Sequence, residues 1–215
     1  MKRPLIPFAP EGYPFVLVPA VTGLFAWLFG YHLVAAIAWA LALFCASFFR
    51  DPWRSSDAAH NAILAPADGK VIAVAPAPPA MAAAGFPKQL SIFMSPLNVH
   101  VNRAPIGGRV TEAYWSPGAQ WPAFRDKASD LNEHAFVRLE GVAGCVAYKQ
   151  IAGSVARRVV CDLKPGEEVE RGQRVGIIKF SSRVDLFLPA EAKIDVEPGQ
   201  RCRAGITVVA HFEPS

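Results

Sequence analysis

Pro165-Gly166-Glu167-Glu168-Val169-Glu170-Arg171-Gly172-Gln173-Arg174-Val175 returns thirty-three residues later as Pro198-Gly199-Gln200-Arg201-Cys202-Arg203-Ala204-Gly205-Ile206-Thr207-Val208. Each copy opens on Pro-Gly, has a second Gly six residues after that pair, and has Val three residues further on. A Pro-Gly turn leading a strand, then a Gly turn and another strand, is what each half of a compact β-sandwich needs. Outward from this repeat, short runs rich in Val, Ile and Phe alternate with Pro and Gly from about residue 62 onward. That pattern predicts strands near 70–75, 89–94, 109–114, 135–140, 145–151, 175–180, 184–188 and 207–212. The Ala- and Pro-rich stretch 73–85 reads as a loop. Residues 155–160 fit a strand or one helical turn equally well. The interval between the two repeat copies carries Lys179-Phe180-Ser181-Ser182-Arg183-Val184-Asp185.

The other half of the problem lies at the N-terminus. Residues 12–49 contain no Asp, Glu, Lys or Arg. As one helix this segment would be roughly 57 Å long, against a bilayer core of about 30 Å. Gly30-Tyr31-His32 offers a turn, which predicts two helices, near 14–29 and 33–49, folded as a hairpin. Lys2 and Arg3 precede it, and Arg50 and Arg54 follow it. Positive charge on both flanks places both ends in the cytoplasm. Each half is short for a full span, so a shallow re-entrant hairpin stays open, as does a buried helical pair in a soluble core. The expected division is a helical hairpin at 1–54 and a β-rich domain at 55–215.

The net charge of +4 suits an anionic membrane surface. No clustered basic face or recognisable module argues for nucleic acid. Cys45, Cys145, Cys161 and Cys202 show no C-x-x-C spacing, so reduced thiols are expected and no metal site.

The repeat resembles the half-repeat of biotinyl and lipoyl carrier domains. Those present a modifiable Lys between Met residues on the hairpin joining the halves; here the interval holds the Ser-Ser sequence instead. Five blocks then occur in order: Phe48-Phe49-Arg50-Asp51-Pro52; Ala65-Pro66-Ala67-Asp68-Gly69-Lys70-Val71; Phe93-Met94-Ser95-Pro96-Leu97-Asn98-Val99-His100-Val101-Asn102-Arg103-Ala104-Pro105; Gln150-Ile151-Ala152-Gly153 with Ala156-Arg157-Arg158; and Gly176-Ile177-Ile178-Lys179-Phe180-Ser181-Ser182-Arg183-Val184-Asp185. Together they resemble the short bacterial and archaeal form of phosphatidylserine decarboxylase. The fold expected is mainly β (α+β), a β-sandwich or barrel-sandwich-like catalytic domain with lipoyl-like half-repeats behind an apolar helical hairpin.

The resemblance implies the chemistry. The proenzyme cuts itself before a serine, which becomes an N-terminal pyruvoyl group, a covalent cofactor that serves as electron sink for loss of CO2. The matching serine is Ser182, so the cut falls at the Ser181–Ser182 bond and leaves a β chain of 1–181 and an α chain of 182–215. The family has Gly at position 181; a Ser there is expected to slow cleavage, because Gly reaches backbone geometry that Ser resists. Gly153-Ser154 is the only Gly-Ser pair in the sequence, but it follows Gln-Ile-Ala at a position where the family accepts varied residues, so the resemblance does not place the cut there. Asp68 matches an acidic member of a cleavage relay, and His100 matches a histidine suited to proton delivery after CO2 leaves. The longer family form has a second histidine where this chain has Arg103. Arg183, Arg103, Arg157 and Arg158 are candidates for the phosphate or carboxylate of the lipid, Arg183 first. His60, His134 and His211 match nothing and are expected to be structural.

The implied substrate is phosphatidylserine, converted to phosphatidylethanolamine on the cytoplasmic face of the inner membrane. The implied partners are that lipid and the two chains of one proenzyme. A homo-oligomer is left open. A membrane-tethered β-sandwich adaptor without activity, and a decarboxylase of another serine-headed lipid, are the competing functions.

Overall fold

The computed structural model describes residues 7–118, 132–153, 159–179 and 182–213. Arg157, Arg158, Ser154 and Ser181 therefore lie outside the described residues. The chain divides into two compact units, Lys2–Trp53 and Arg54–Ser215.

In the first unit a 3-10 turn (Pro10–Gly12) leads into α1 (Tyr13–Leu28), and α2 (His32–Phe48) returns beside it. The turn between them passes through Gly30, whose φ of +83° favours glycine. Gly23 lets the helices approach: a Cβ there would meet Trp39 Nε1 at 2.5 Å. The same indole N–H donates to the Ala20 carbonyl at 3.3 Å. The two ends of the hairpin are tied by Ala9 N–H to Phe49 O and Asp51 N–H to Pro7 O, both 2.8 Å. Leu17, Phe25, Leu33, Ile37 and Leu43 are exposed on the outside of this hairpin.

In the second unit the strands among the described residues run, in chain order, β1 (Ala62–Leu64), β2 (Gly69–Pro76), β3 (Lys88–Met94), β4 (Val101–Arg103), β5 (Gly108–Ser116), β6 (His134–Gly141), β7 (Gly144–Ala152), β8 (Val159–Cys161), β9 (Glu168–Val169), β10 (Arg174–Ile178), β11 (Ser182–Leu188), β12 (Ala192–Ile194), β13 (Arg201–Cys202) and β14 (Val208–Phe212). The fold is mainly β, as expected. The 73–85 loop is corrected. β2 runs through to Pro76, and Pro79–Ala83 is a short helix, α3, favoured by Pro in its first turn and by Ala.

The long sheet has the order β13-β2-β3-β11-β7-β6-β5-β9; β1-β14-β12 and β4-β10-β8 form two smaller sheets. All three contribute to one core, in which Ile63, Leu90, Ile92, Tyr148, Val175, Val184 and Val209 are buried together.

The repeat is visible in the hydrogen bonds. Gly166 and Gly199 both have positive φ, and so do Gly172 and Gly205. Gly166 N–H donates to Val110 O and Gly199 N–H to Val71 O; Gly172 N–H donates to Ala104 O and Gly205 N–H to Ala65 O. The acceptors are themselves repeated. Ala65-Pro66-Ala67-Asp68-Gly69-Lys70-Val71 answers Ala104-Pro105-Ile106-Gly107-Gly108-Arg109-Val110. The strand order therefore reads β13-β2-β3-β11 from one edge and β9-β5-β6-β7 from the other, related by a pseudo-twofold axis between β11 and β7. One copy, β4–β10, is continuous in the chain. The other consists of β1–β3 and β11–β14, with the continuous copy inserted between its two parts.

This insertion places the chemistry-bearing segments. In the continuous copy β6 and β7 form a tight hairpin closing on the pair Gly141 and Gly144. In the interrupted copy the equivalent strands β3 and β11 meet at the pair Met94 and Ser182. The hairpin is open there: the chain leaves after Met94 through residues 95–100 and comes back to Ser182.

Candidate active site

Ser182 opens a central strand that is paired on both sides, with Met94 of β3 and with Ala152 of β7. Its side chain is buried, and its Oγ–H donates to Met94 Sδ at 3.1 Å. Asn102 on β4 reaches the same sulfur, with Nδ2 at 3.7 Å, and also donates to Pro66 O at 3.4 Å. Gln150 on β7 donates from Nε2 to Asn102 Oδ1 at 2.8 Å. Side chains alternate along strands, so Ser182 shares the core face of the sheet with Gln150, Ala152 and Met94.

The leaving segment supplies His100. Residues 95–98 form a turn in which Asn98 Oδ1 accepts from Ser95 N–H at 2.9 Å and from Ser95 Oγ at 2.7 Å. Asn98 is thus a turn residue and not part of the strand that carries Asn102. Its carbonyl oxygen lies 2.9 Å from His100 Nδ1, and a carbonyl can only accept, so Nδ1 carries the hydrogen. In neutral His100 the basic nitrogen is then Nε2. His100 is completely buried.

Pseudo-symmetry marks which residues are special. The positions equivalent to His100, Asn102 and Arg103 in the interrupted copy are Asn61, Ile63 and Leu64. At the last two positions one copy keeps apolar packing where the other buries polar side chains; at the first, Asn61 is half-buried and donates to Phe212 O at 2.9 Å. Scaffold demands alone would have served both copies alike.

The remaining candidates stand elsewhere. Asp68 pairs bidentately with Arg54, Nη1 to Oδ1 and Nη2 to Oδ2 at 2.8 Å, and accepts from Ala204 N–H at 2.8 Å. Those partners engage both oxygens, and an Asp68–His100–Ser182 chain is not assembled in this structure. Arg103 is buried and donates to Gly172 O at 3.1 Å within the continuous copy, and a Cβ on Gly205 of the other copy would meet its Cδ at 2.8 Å. Arg183 alternates to the sheet face opposite Ser182. There it donates from Nε to Asp185 Oδ1 at 2.6 Å and from Nη2 to Ser91 Oγ at 2.9 Å, all three residues being buried. Arg183 is thus held in a buried ion pair on the sheet face opposite Ser182. His211 pairs with Asp195 at 2.8 Å, and His134 Nδ1 lies 2.9 Å from Asn132 O, both structural contacts.

A cleft of about 680 Å³ opens on the same sheet face, lined by Tyr114, Trp115, Glu133, Ala135, Leu163 and Lys179 among others. Trp115 faces Ala135 across β5 and β6, and Ala135 faces Gln150 across β6 and β7. Gln150, fully buried, is thus the cross-strand neighbour of the lining residue Ala135. Glu133 Oε1 fixes one wall by accepting from Trp115 Nε1 at 3.1 Å and from Val159 N–H at 3.0 Å. Among the described residues no group of three or more His, Cys, Asp or Glu could hold a metal ion.

The phosphatidylserine decarboxylase family model matches residues 41–210. The chain belongs to this family. It is 45% identical over 210 residues, 95% of each chain, to the phosphatidylserine decarboxylase proenzyme of Magnetococcus marinus. It is 40% identical over 214 residues to that of Burkholderia multivorans, covering 99% of this chain and 100% of the relative. The proenzyme of Pelodictyon phaeoclathratiforme is 44% identical over 182 residues, 84% of each chain. As a phosphatidylserine decarboxylase the protein is a carboxy-lyase of phospholipid synthesis, made as a proenzyme that processes itself into chains. The family is pyruvoyl-dependent.

Sequence reasoning missed Gln150, Asn102, Met94, Arg54 and Asp185 as members of the site or its supports. Cys202 lies under the Asp68 turn, its Sγ 3.5 Å from Ala67 O and 3.8 Å from Gly69 O. Burial, with the Asp68 charge adding to it, pushes this thiol from 9.0 up to about 12. The unfolded thiol ionises first, so this group leaves stability unchanged below about pH 9 and lowers it from there to about pH 12. Urea melts at pH 8 and pH 10.5 should show a smaller loss for Cys202→Ala than for the parent. The native thiol should also resist iodoacetamide at pH 8.5.

Proposed function

We propose that this decarboxylase matures by cutting its own Ser181–Ser182 bond, giving chains 1–181 and 182–215, and that residue 182 becomes the pyruvoyl group. The observation that carries this is the position of Ser182: it stands at the open end of a hairpin that pseudo-symmetry closes elsewhere. A cut there severs a crossover and leaves every described strand pair of the sheet intact. Ser182 Oγ attacks the carbonyl carbon of residue 181 while the amide C–N bond breaks. Elimination at the resulting ester then frees the first chain's carboxylate and leaves dehydroalanine at 182, whose imine tautomer is hydrolysed by water to the pyruvoyl carbonyl with release of ammonia. The site suits the group that follows, being buried, flanked by two strands and backed by Met94, Asn102 and Gln150. When formed, the pyruvoyl carbonyl supplies the electron sink for loss of CO2.

His100 is assigned proton delivery to the carbon that loses CO2, from Nε2, with Asn98 O holding the ring. Asp68, held by Arg54, is assigned the shaping of the 66–69 turn against which Asn102 and Arg103 dock, and acts on cleavage through that turn. The Trp115 cleft is assigned to the headgroup, with Lys179 for its phosphate. Arg103 braces the repeat junction beneath it. The hairpin of 1–54 is assigned to the inner membrane, with 55–215 on the cytoplasmic side. Its apolar outer faces and flanking arginines support this.

Intact mass spectrometry of purified protein under denaturing conditions tests the reading. Two chains are expected, the smaller starting with pyruvoyl in place of Ser182. A single chain of full mass in an active preparation would sink it. Ser181→Gly should give the same smaller chain, a larger chain lighter by the CH2O of the lost side chain, and faster maturation.

A further inference from the structure

The Pro66 carbonyl can only accept, so it fixes the Asn102 amide with Nδ2 towards Pro66 and Oδ1 towards Gln150. Gln150 must then donate from Nε2, and it does, at 2.8 Å. Its other amide atom, Oε1, is buried and has no hydrogen-bond partner. An acceptor left so is costly, by a factor of about ten or more in the folding equilibrium. Its location gives it a use. Gln150 is the cross-strand partner of Val184, which places it diagonally next to Ser182 on the same face of the sheet. Through Ala135 it also borders the headgroup cleft.

We infer that Gln150 Oε1 is the acceptor for the amine of the serine headgroup, positioning it beside residue 182. The group that must arrive there carries N–H donors and a positive charge, and a neutral amide oxygen satisfies a donor without taking its proton. This matters to a reaction in which the amine nitrogen has to become nucleophilic. A carboxylate would hold the amine as an ammonium ion more strongly, while an apolar side chain would leave it without a partner. The assignment rests on maturation at Ser182, proposed above.

The test uses purified, matured enzyme and two soluble headgroup probes, glycerophosphoethanolamine, which has the amine, and glycerophosphoglycerol, which lacks it. Gln150→Met is expected to mature to the same two masses and to bind glycerophosphoethanolamine about tenfold to a hundredfold more weakly, the span of a lost hydrogen bond to a charged group. Binding of glycerophosphoglycerol should change less than about twofold. KM for phosphatidylserine should rise in step, with kcat falling less. Gln150→Glu keeps the acceptor and loses the donation to Asn102; it should bind the amine probe at least as well as wild type. Equal losses for Met and Glu would overturn the inference, because the donation to Asn102 would then be what matters. Equal losses for the two probes, or unchanged binding, would overturn it too. Tyr148 Oη, two residues away on the same strand, is the other buried polar atom there with no hydrogen-bond partner. If Tyr148→Phe reproduces the Gln150→Met binding loss, the two groups act as one structural pair and the inference fails. A Gln150→Met chain that stays uncut also overturns it, since the residue would then serve maturation. A wild-type chain that stays uncut removes the underlying reading instead.

Discussion

Ser182→Ala should leave one chain of full length and abolish decarboxylation altogether. Most active-site substitutions leave a residue of activity, because the other groups still bind and orient. This one removes both the nucleophile of self-cleavage and the atoms of the cofactor, so nothing downstream can compensate. The structure also predicts that the variant folds. Ser182 Oγ makes one hydrogen bond, to a thioether, which is a weak acceptor. Alanine fits the same buried position with a cost on the order of 1 kcal/mol. Thermal melting should therefore be close to that of uncut wild type while mass spectrometry shows a single species. Two chains from Ser182→Ala would mean the cut lies elsewhere, and the mass of the smaller one would locate it; a start at Ser154 would point to the Gly153–Ser154 bond.

The β character of the domain was legible because the turns are written in Pro-Gly and Gly pairs, and the residues between them are β-branched. The hairpin was legible because an uncharged run of that length has few other uses. What escaped was the second repeat, in which Ala65-Pro66 and Gly69-Lys70-Val71 answer Ala104-Pro105 and Gly108-Arg109-Val110. Only two short blocks recur, and the strand partners they hydrogen-bond lie far away in the chain. Short strands such as β1, β4, β9 and β13 carry too few residues to show a period. Within the site, His100 and Ser182 could be singled out from the sequence, but their supports could not. Gln150 and Met94 read as ordinary strand residues until the sheet register brings them together. Arg54 reads as a membrane flank, and only the fold turns it on to Asp68.

The pairing of Arg183 with Asp185 was written in the sequence. In Ser182-Arg183-Val184-Asp185 a period of two puts Arg183 with Asp185 and both away from Ser182. Adjacency along the chain suggested the opposite. The structure adds what the period cannot: both side chains are buried on the far face, where the guanidinium donates to Asp185 and to Ser91.

That burial gives Asp185→Asn the largest expected effect on stability. The substitution keeps size and shape and removes the negative charge. Arg183 cannot shed its proton to adapt, since its guanidinium stays charged at any working pH. Removing one partner of a buried ion pair costs about 3–5 kcal/mol, because the other charge remains in the interior. For a domain of this size that lowers the melting temperature by roughly 10 °C. Replacing both partners, Arg183→Met with Asp185→Leu, removes the stranded charge and should recover most of the loss. The double variant also decides what Arg183 does. If the pair only braces the strand that begins at residue 182, the double variant matures and keeps its KM for phosphatidylserine within about threefold, a change under roughly 1 kcal/mol. If Arg183 binds the headgroup, stability returns but KM stays raised tenfold or more, the scale of a lost charge-assisted hydrogen bond. The first outcome is expected. The proposed cut before Ser182 would free the end of this strand, and a chain end frays unless something holds it. The ion pair one residue in from the new terminus, on the closed face, is placed to hold residue 182 in register for the chemistry on the other.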